Sequence, residues 1–255
     1  MGGCTAKMKN YKLSNSAIVM VAGSSAGTQP KYYENGYWYK TNNNGYEGLA
    51  EYLVSLILSC SDAKDYITYE KCTINDRNGC RSKSFLKDNE TFISFQRLYD
   101  MFNGGNLTDA IMIYNDIKDR IKFVVDFIKE YTDFDCYNYL SSILTLDYFT
   151  LNTDRHFHNL GLVGNSQTGR FRAAPIFDNG DALLSNYEKF PADISLEENI
   201  ENVYGQPFSA NLGLQVKALG FNLKIDYKKL DEKLTNEPES RAIDVIRYQM
   251  EHVKL

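Results

Sequence analysis

Asn152-Thr153-Asp154-Arg155-His156-Phe157-His158-Asn159, followed downstream by Pro175-Ile176-Phe177-Asp178-Asn179-Gly180-Asp181, decides how this chain is read. The first stretch brings together an acid, a base, an amide and two of the three histidines of the protein. A hydrophobic helical pattern over about 135–151 leads in, with Leu140, Ile143, Leu144 and Phe149 at its buried positions. Two short apolar runs, 160–163 and 171–176, flank Asn165-Ser166-Gln167-Thr168-Gly169 and predict a hairpin. An acid and an amide on one loop, with a second acid across a hairpin, is a layout suited to holding a divalent metal against a phosphate.

Three chemistries compete for this stretch. Asp, Asn and Thr side chains often do no more than cap helix ends, but that does not account for the density of the cluster. His156 and His158 share one face if the segment is extended, and Asp154 or Asp178 can complete a zinc set. No further histidine or cysteine lies near them in sequence, and His252 is remote. In the third reading the site transfers a phosphoryl group. Asp154 accepts or orients the proton of an attacking hydroxyl. Asn159 and Asp178 hold Mg²⁺, and Arg155 and His156 either offset charge on the phosphoryl oxygens or hold the loop. The order acid, amide, strand, turn, strand, acid, glycine parallels the H-R-D-x-x-x-x-N and D-F-G segments of protein kinases.

Upstream, residues 12–22 read as a strand running into Gly23-Ser24-Ser25-Ala26-Gly27-Thr28-Gln29-Pro30-Lys31. Small residues there let backbone N–H groups approach a ligand. Gly36-Tyr37-Trp38-Tyr39-Lys40 is an aromatic strand, and 47–60 a helix with a stripe of Leu49, Tyr52, Leu53, Leu56 and Ile57. Glu47 and Glu51 sit one turn apart on it, and either can orient Lys40. Residues 66–74 and 91–99 are predicted strands, with Asp76-Arg77-Asn78-Gly79 as turn chemistry between them. Thr108 or Asp109 caps a helix that includes Ile113, Ile117, Ile121, Val124 and Ile128. Three modest helices follow near 194–199, 210–219 and 226–252, the last broken at Pro238. Asn103-Gly104-Gly105-Asn106 marks the expected boundary between a β-rich lobe, 1–103, and a helical lobe, 104–255.

The chain has 255 residues, 43% of them apolar, and a net charge of −5. That size fits one large domain or two small lobes, and the charge argues against a broad nucleic-acid surface. Five cysteines without a C-x-x-C pair read as reduced thiols of a cytoplasmic protein. No run is long enough to span a membrane.

The Asn152–Asn159 stretch with Pro175–Asp178 resembles the HipA-like serine/threonine kinases, and Ser24 to Lys31 resembles their S-x-x-G-x-x-P-K loop. The resemblance implies a two-lobed α+β fold of the protein-kinase type, ATP and Mg²⁺ as cofactors, and protein substrates phosphorylated on serine or threonine. It implies Lys40 as the ATP lysine and Glu51 as its partner, with Ser24, Ser25, Gly27 and Lys31 about the nucleotide. Asp154, Arg155 and His156 become catalytic, and Asn159 and Asp178 metal ligands. Ser24 matches a serine whose autophosphorylation shuts the site in that family, and adenine is expected against 91–99 and its exit at Gln96 to Tyr99. Only about twenty residues precede the glycine-rich loop, so the chain is similar to the short CtkA-type branch, without the extra N-terminal subdomain. DNA-bound assembly and membrane attachment are then not expected, and the setting is the bacterial cytoplasm or that of a secreted effector. The alternatives are a pseudokinase regulating a partner, or a kinase of a lipid or small-molecule hydroxyl.

Overall fold

The computed structural model describes residues 8–19 and 31–255. Tight turns build the first half. Strands β2 (Lys31–Glu34) and β3 (Tyr37–Thr41) meet through Asn35-Gly36, both with positive φ, the mark of a two-residue hairpin turn. Strands β4 (Tyr69–Ile74) and β5 (Arg77–Lys83) meet in the same way through Asn75-Asp76. With β1 (Asn10–Tyr11) parallel to β4, they form a five-stranded sheet of order β1-β4-β5-β3-β2. The turn therefore lies one residue earlier than the sequence suggested, and Arg77 to Gly79 belong to a strand. The polar start of β5 disguises it. Residues 12–22 also differ from the expected strand: 15–17 form a 3₁₀ turn, Ile18 makes one bridge to Tyr32, and Met20 to Pro30 lie outside the described residues.

Helix α1 (Glu47–Leu58) lies across this sheet. The two backbones come so close that a Cβ on Gly48 would stand 2.6 Å from the carbonyl carbon of Gly79. Small residues at both positions are what let α1 approach β5. The far side of α1 enters the main hydrophobic core, so Leu53, Val54 and Ile57 are fully buried. Burying each such side chain stabilises the fold by roughly 1.5–3 kcal/mol.

The chain leaves the five-stranded sheet at residues 84–89 and enters β6 (Glu90–Ser94), which pairs with the later hairpin. The expected strand over 91–99 stops at Ser94. Its hydroxyl accepts from the Arg97 N–H at 3.1 Å and caps helix α2 (Phe95–Asn103). Gln96 to Tyr99 are thus helical, not a strand exit. The Gln96 side chain is engaged too, donating to Gly105 O and accepting from Leu107 N–H.

Asn106 caps a short α3 (Leu107–Ile111), and Asp116 caps α4 (Ile117–Thr132). One continuous helix through Ile113 was expected. Two capping side chains divide it, and Ile113 stands 75% exposed between the halves. Helix α5 (Tyr137–Thr150) is buried on almost every side and ends at Leu151 in a left-handed conformation. Then come β7 (Gly161–Asn165) and β8 (Phe171–Ala173), completing a second sheet of order β6-β7-β8. Helices α6 (Leu196–Glu201), α7 (Leu212–Leu219), α8 (Tyr227–Leu234) and α9 (Arg241–His252) finish the chain.

The result is an α+β molecule of two lobes, a curled sheet with α1 and a mainly helical remainder. A small cluster of Leu13, Tyr39, Cys72 and Ile74 packs one region of the sheet, while the large core runs from α1 through α9. Cys60, Cys72, Cys80 and Cys136 are buried free thiols. Among the described residues no helix is long and apolar enough to cross a membrane.

Candidate active site

The loop after α5 is shaped by its own amides. The Asn152 side chain donates to Asp147 and accepts from the Asp154 N–H at 3.0 Å. Five residues past Asp154, the Asn159 amide nitrogen returns to the Asp154 carbonyl at 3.0 Å. The acid-to-amide spacing is therefore the length of a closed turn, and it leaves the Asn159 amide oxygen as that side chain's acceptor.

Arg155 has no exposed surface. Its guanidinium makes a fork with both oxygens of Asp147 (2.9 and 3.0 Å) and reaches Asn179 Oδ1 at 2.6 Å and the Phe177 carbonyl at 2.7 Å. Of its two expected roles the geometry leaves the second: Arg155 ties the loop to α5 and to the Asp178 segment, out of reach of a substrate. Asp147 is the acid that sequence reading missed. Its signal is a lone carboxylate in an otherwise apolar helical run, which a buried cation must balance.

The sheet side supplies the cations. Lys40 Nζ lies 2.6 Å from Glu51 Oε1 and 2.5 Å from Asp178 Oδ1. Lys31 stands directly opposite Lys40 in the β2–β3 ladder, with Nζ 3.8 Å from Asp178 Oδ2. Two lysines facing each other across strands repel, so the pair calls for an anion between them, and Asp178 supplies one. Glu51 also accepts from the Asn179 N–H at 2.8 Å. Glu47 turns away and accepts from the backbone N–H groups of Asn43 and Asn44. Asp178 itself has a left-handed backbone, φ 58°, and its N–H donates to the Tyr69 hydroxyl. Ser24, Ser25 and Gly27 lie outside the described residues.

With this arrangement, the structure superposes on the crystal structure of the Helicobacter pylori proinflammatory kinase CtkA with a TM-score of 0.66, covering 96% of this chain and 93% of that one at 14% identity. The chain has the CtkA fold. The two-lobed kinase-like architecture expected from the sequence is thereby met. A looser match, TM-score 0.40 at 10% identity, is the HipA of Shewanella oneidensis MR-1 from a complex with HipB and operator DNA; 95% of this chain spans 61% of that one. No protein-family model and no curated protein sequence matches the chain.

Electrostatics divide the acids of this CtkA fold. Burial disfavours the Asp178 carboxylate, but Lys40, then Lys31, outweigh it and hold the carboxyl well below the usual range. Lys40 is likewise buried, yet Asp178 and Glu51 keep it charged far above neutral pH. At Asp154 partial burial raises the pKa. His156 opposes that shift, while Asp181 and Asp178 add to it. Burial lowers the pKa of His156, whose Nε2 lies 3.7 Å from Asp154 and whose Nδ1 is buried with no hydrogen-bond partner among the described residues. A neutral His156 fits the loop better than a cation aimed at phosphate. His156 and His158 pack edge to face at 5.5 Å, and no third His, Cys, Asp or Glu joins them in a metal cage among the described residues.

Gln206 was invisible to sequence reading. Its amide donates to the Thr153 carbonyl at 2.9 Å and lies 3.4 Å from Asp154 Oδ1, holding the acid from outside the loop. Only the path of the chain after α6 brings it there.

Proposed function

We propose that the protein is an ATP- and Mg²⁺-dependent serine/threonine protein kinase. The observation that carries this reading is the convergence of Lys31, Lys40, Glu51 and Asp178 from two lobes beside the Asp154–Asn159 loop. Lys40, oriented by Glu51, and Lys31 meet phosphate oxygens; phosphoryl transfer needs such positioning and charge neutralisation above all. Asp154, with its raised pKa, takes the proton of the acceptor hydroxyl. Asn159 and Asp178 offer oxygen donors only, which suits a hard cation such as Mg²⁺, and these two residues would hold it. A Mg²⁺ ion held there would supply positive charge to offset that developing on the transferred phosphoryl oxygens. The acceptor is a protein, with neither DNA nor a membrane as partner, and Ser24 is an autophosphorylation site.

Incubating the protein and Asp154→Ala with labelled ATP and Mg²⁺ tests the reading. Label is expected on generic protein acceptors and on residues 24–28 with the parent protein alone. Equal labelling by both proteins would refute the role of Asp154. Absence of phosphate on 24–28 by mass spectrometry would remove the Ser24 site. Label found only on lipid or small-molecule hydroxyls would redirect the acceptor class.

A further inference from the structure

Beside α4, on the helical lobe, runs a groove with room for ≈ 560 Å³ that belongs to no part of the candidate active site. Its floor is aromatic: Tyr114, Phe123, Phe127 and Tyr131. The rings support one another, Tyr114 on Phe123 at 5.5 Å and Phe127 on Tyr131 at 5.0 Å, so the floor is rigid. Its rim is acidic. Asp119, Asp126 and Glu130 line it with Lys122, which is ion-paired to Asp126. Asp119 and Glu130 have no ion-pair partner among the described residues. Phe102 on α2, half exposed, stacks on Tyr131 at 4.1 Å and extends the aromatic surface. An apolar patch with a charged rim marks an interaction surface more often than an idle one.

We propose that this groove docks a segment of the acceptor protein in which basic and bulky apolar residues alternate. Extended backbone sends alternate side chains to opposite sides, so such a segment seats aliphatic groups on the aromatic floor and turns lysine or arginine toward Asp119 and Glu130. Acidic peptides, nucleic acid and anionic membranes are repelled by this rim.

The groove lies within reach of the site. The Gln96 N–H at the start of α2 donates to the Phe157 carbonyl on the Asp154 loop, and Asn103 at its end lines the groove. Nine helical residues span about 13 Å, the length of about four extended residues. A docked segment that continues along α2 runs toward the Asp154 loop, where its serine or threonine would be presented. That last link rests on the kinase reading; the docking does not.

Fluorescence anisotropy separates the two. Three labelled peptides serve as probes: lysine alternating with leucine, lysine with serine, and glutamate with leucine. The lysine–leucine peptide is expected to bind, and the other two to bind far more weakly. The double variant Asp119→Asn/Glu130→Gln weakens it by about five-fold, the scale of two exposed charge contacts. Phe102→Ser, at an exposed position stacked on Tyr131, weakens it without changing turnover of a generic acceptor that lacks the motif. Equal affinity for parent and both variants overturns the proposal, as does lysine–serine binding as well as lysine–leucine. Tight sedimentation with phosphatidylserine vesicles, abolished by Phe102→Ser, overturns it in favour of a membrane surface. Binding that persists in a protein with no phosphotransfer activity leaves the docking intact and removes the kinase reading alone.

Discussion

At the scale of single residues, the site divides, on the proposed function, into groups that would meet the substrate and groups that hold them. Asp154→Asn is expected to lower turnover by about 10²–10⁴-fold with an unchanged melting temperature, since its side chain is partly solvated. Asp154 has a raised pKa, so the acid form persists to higher pH. Activity should be present above the ordinary aspartate range near 3.9 and lost as pH falls through a displaced acid limb, read from kcat/KM against pH. Asp178 works in the opposite sense. Its folded pKa is depressed, so it adds stability above the unfolded value of about 3.9, lost as pH falls below it. Lys40→Met removes the main cause, and its denaturation free energy should fall less steeply on acidification below about pH 4 than that of the parent. Asp147→Asn strands a buried guanidinium and should cost about 3 kcal/mol in urea unfolding. That Asp154, Asn159 and Asp178 lie in one region was legible in the sequence from their types and spacing, and Lys40 entered through the resemblance; the structure brings Lys40 to Asp178. Asp147, Asn179 and Gln206 act through other side chains, and only tertiary structure reveals their partners.

At the scale of elements, legibility followed apolar periodicity. Helices α1 and α5 and the β7–β8 hairpin carry strong patterns and lie where these predict. Strand β5 escaped because its burial comes from α1 lying over it, not from its own hydrophobicity. The split between α3 and α4 escaped because capping by Asp116 competes with a helical repeat that runs on through Ile117. The α1–β5 crossing yields a direct test. Gly48→Ala places a methyl group against Gly79 backbone that has little room to yield. It should cost about 1–3 kcal/mol and reduce activity further than the loss of folded protein explains, because α1 also carries Glu51. Full activity at an unchanged melting temperature would show that α1 has slack at this crossing.

At the scale of the whole molecule, one core joins α1 to the helical lobe, whereas the outer strands rest on four buried side chains. Native-state hydrogen exchange should find α1, α5 and β7 among the last segments to open and β1 and β2 among the first. Uniform protection across both sheets would contradict this division. Glu237, between α8 and α9, reinforces the join by accepting from Tyr52 on α1 and pairing with Lys71 on β4. It shares the task of positioning α1 with residues almost two hundred positions away in sequence.

The lysine pair on β2 and β3 has a consequence for selectivity. With Glu51 and Asp178 beside them, Lys31 and Lys40 form an internal salt, two cations against two carboxylates. Such a centre is electrically quiet at a distance and draws few stray anions from solution. Inorganic phosphate gains little by displacing a carboxylate already in place, whereas a ligand with further contacts along the cleft can make the exchange. On the proposed function, this ion cluster would select a polyphosphate by what else the molecule carries rather than by its charge.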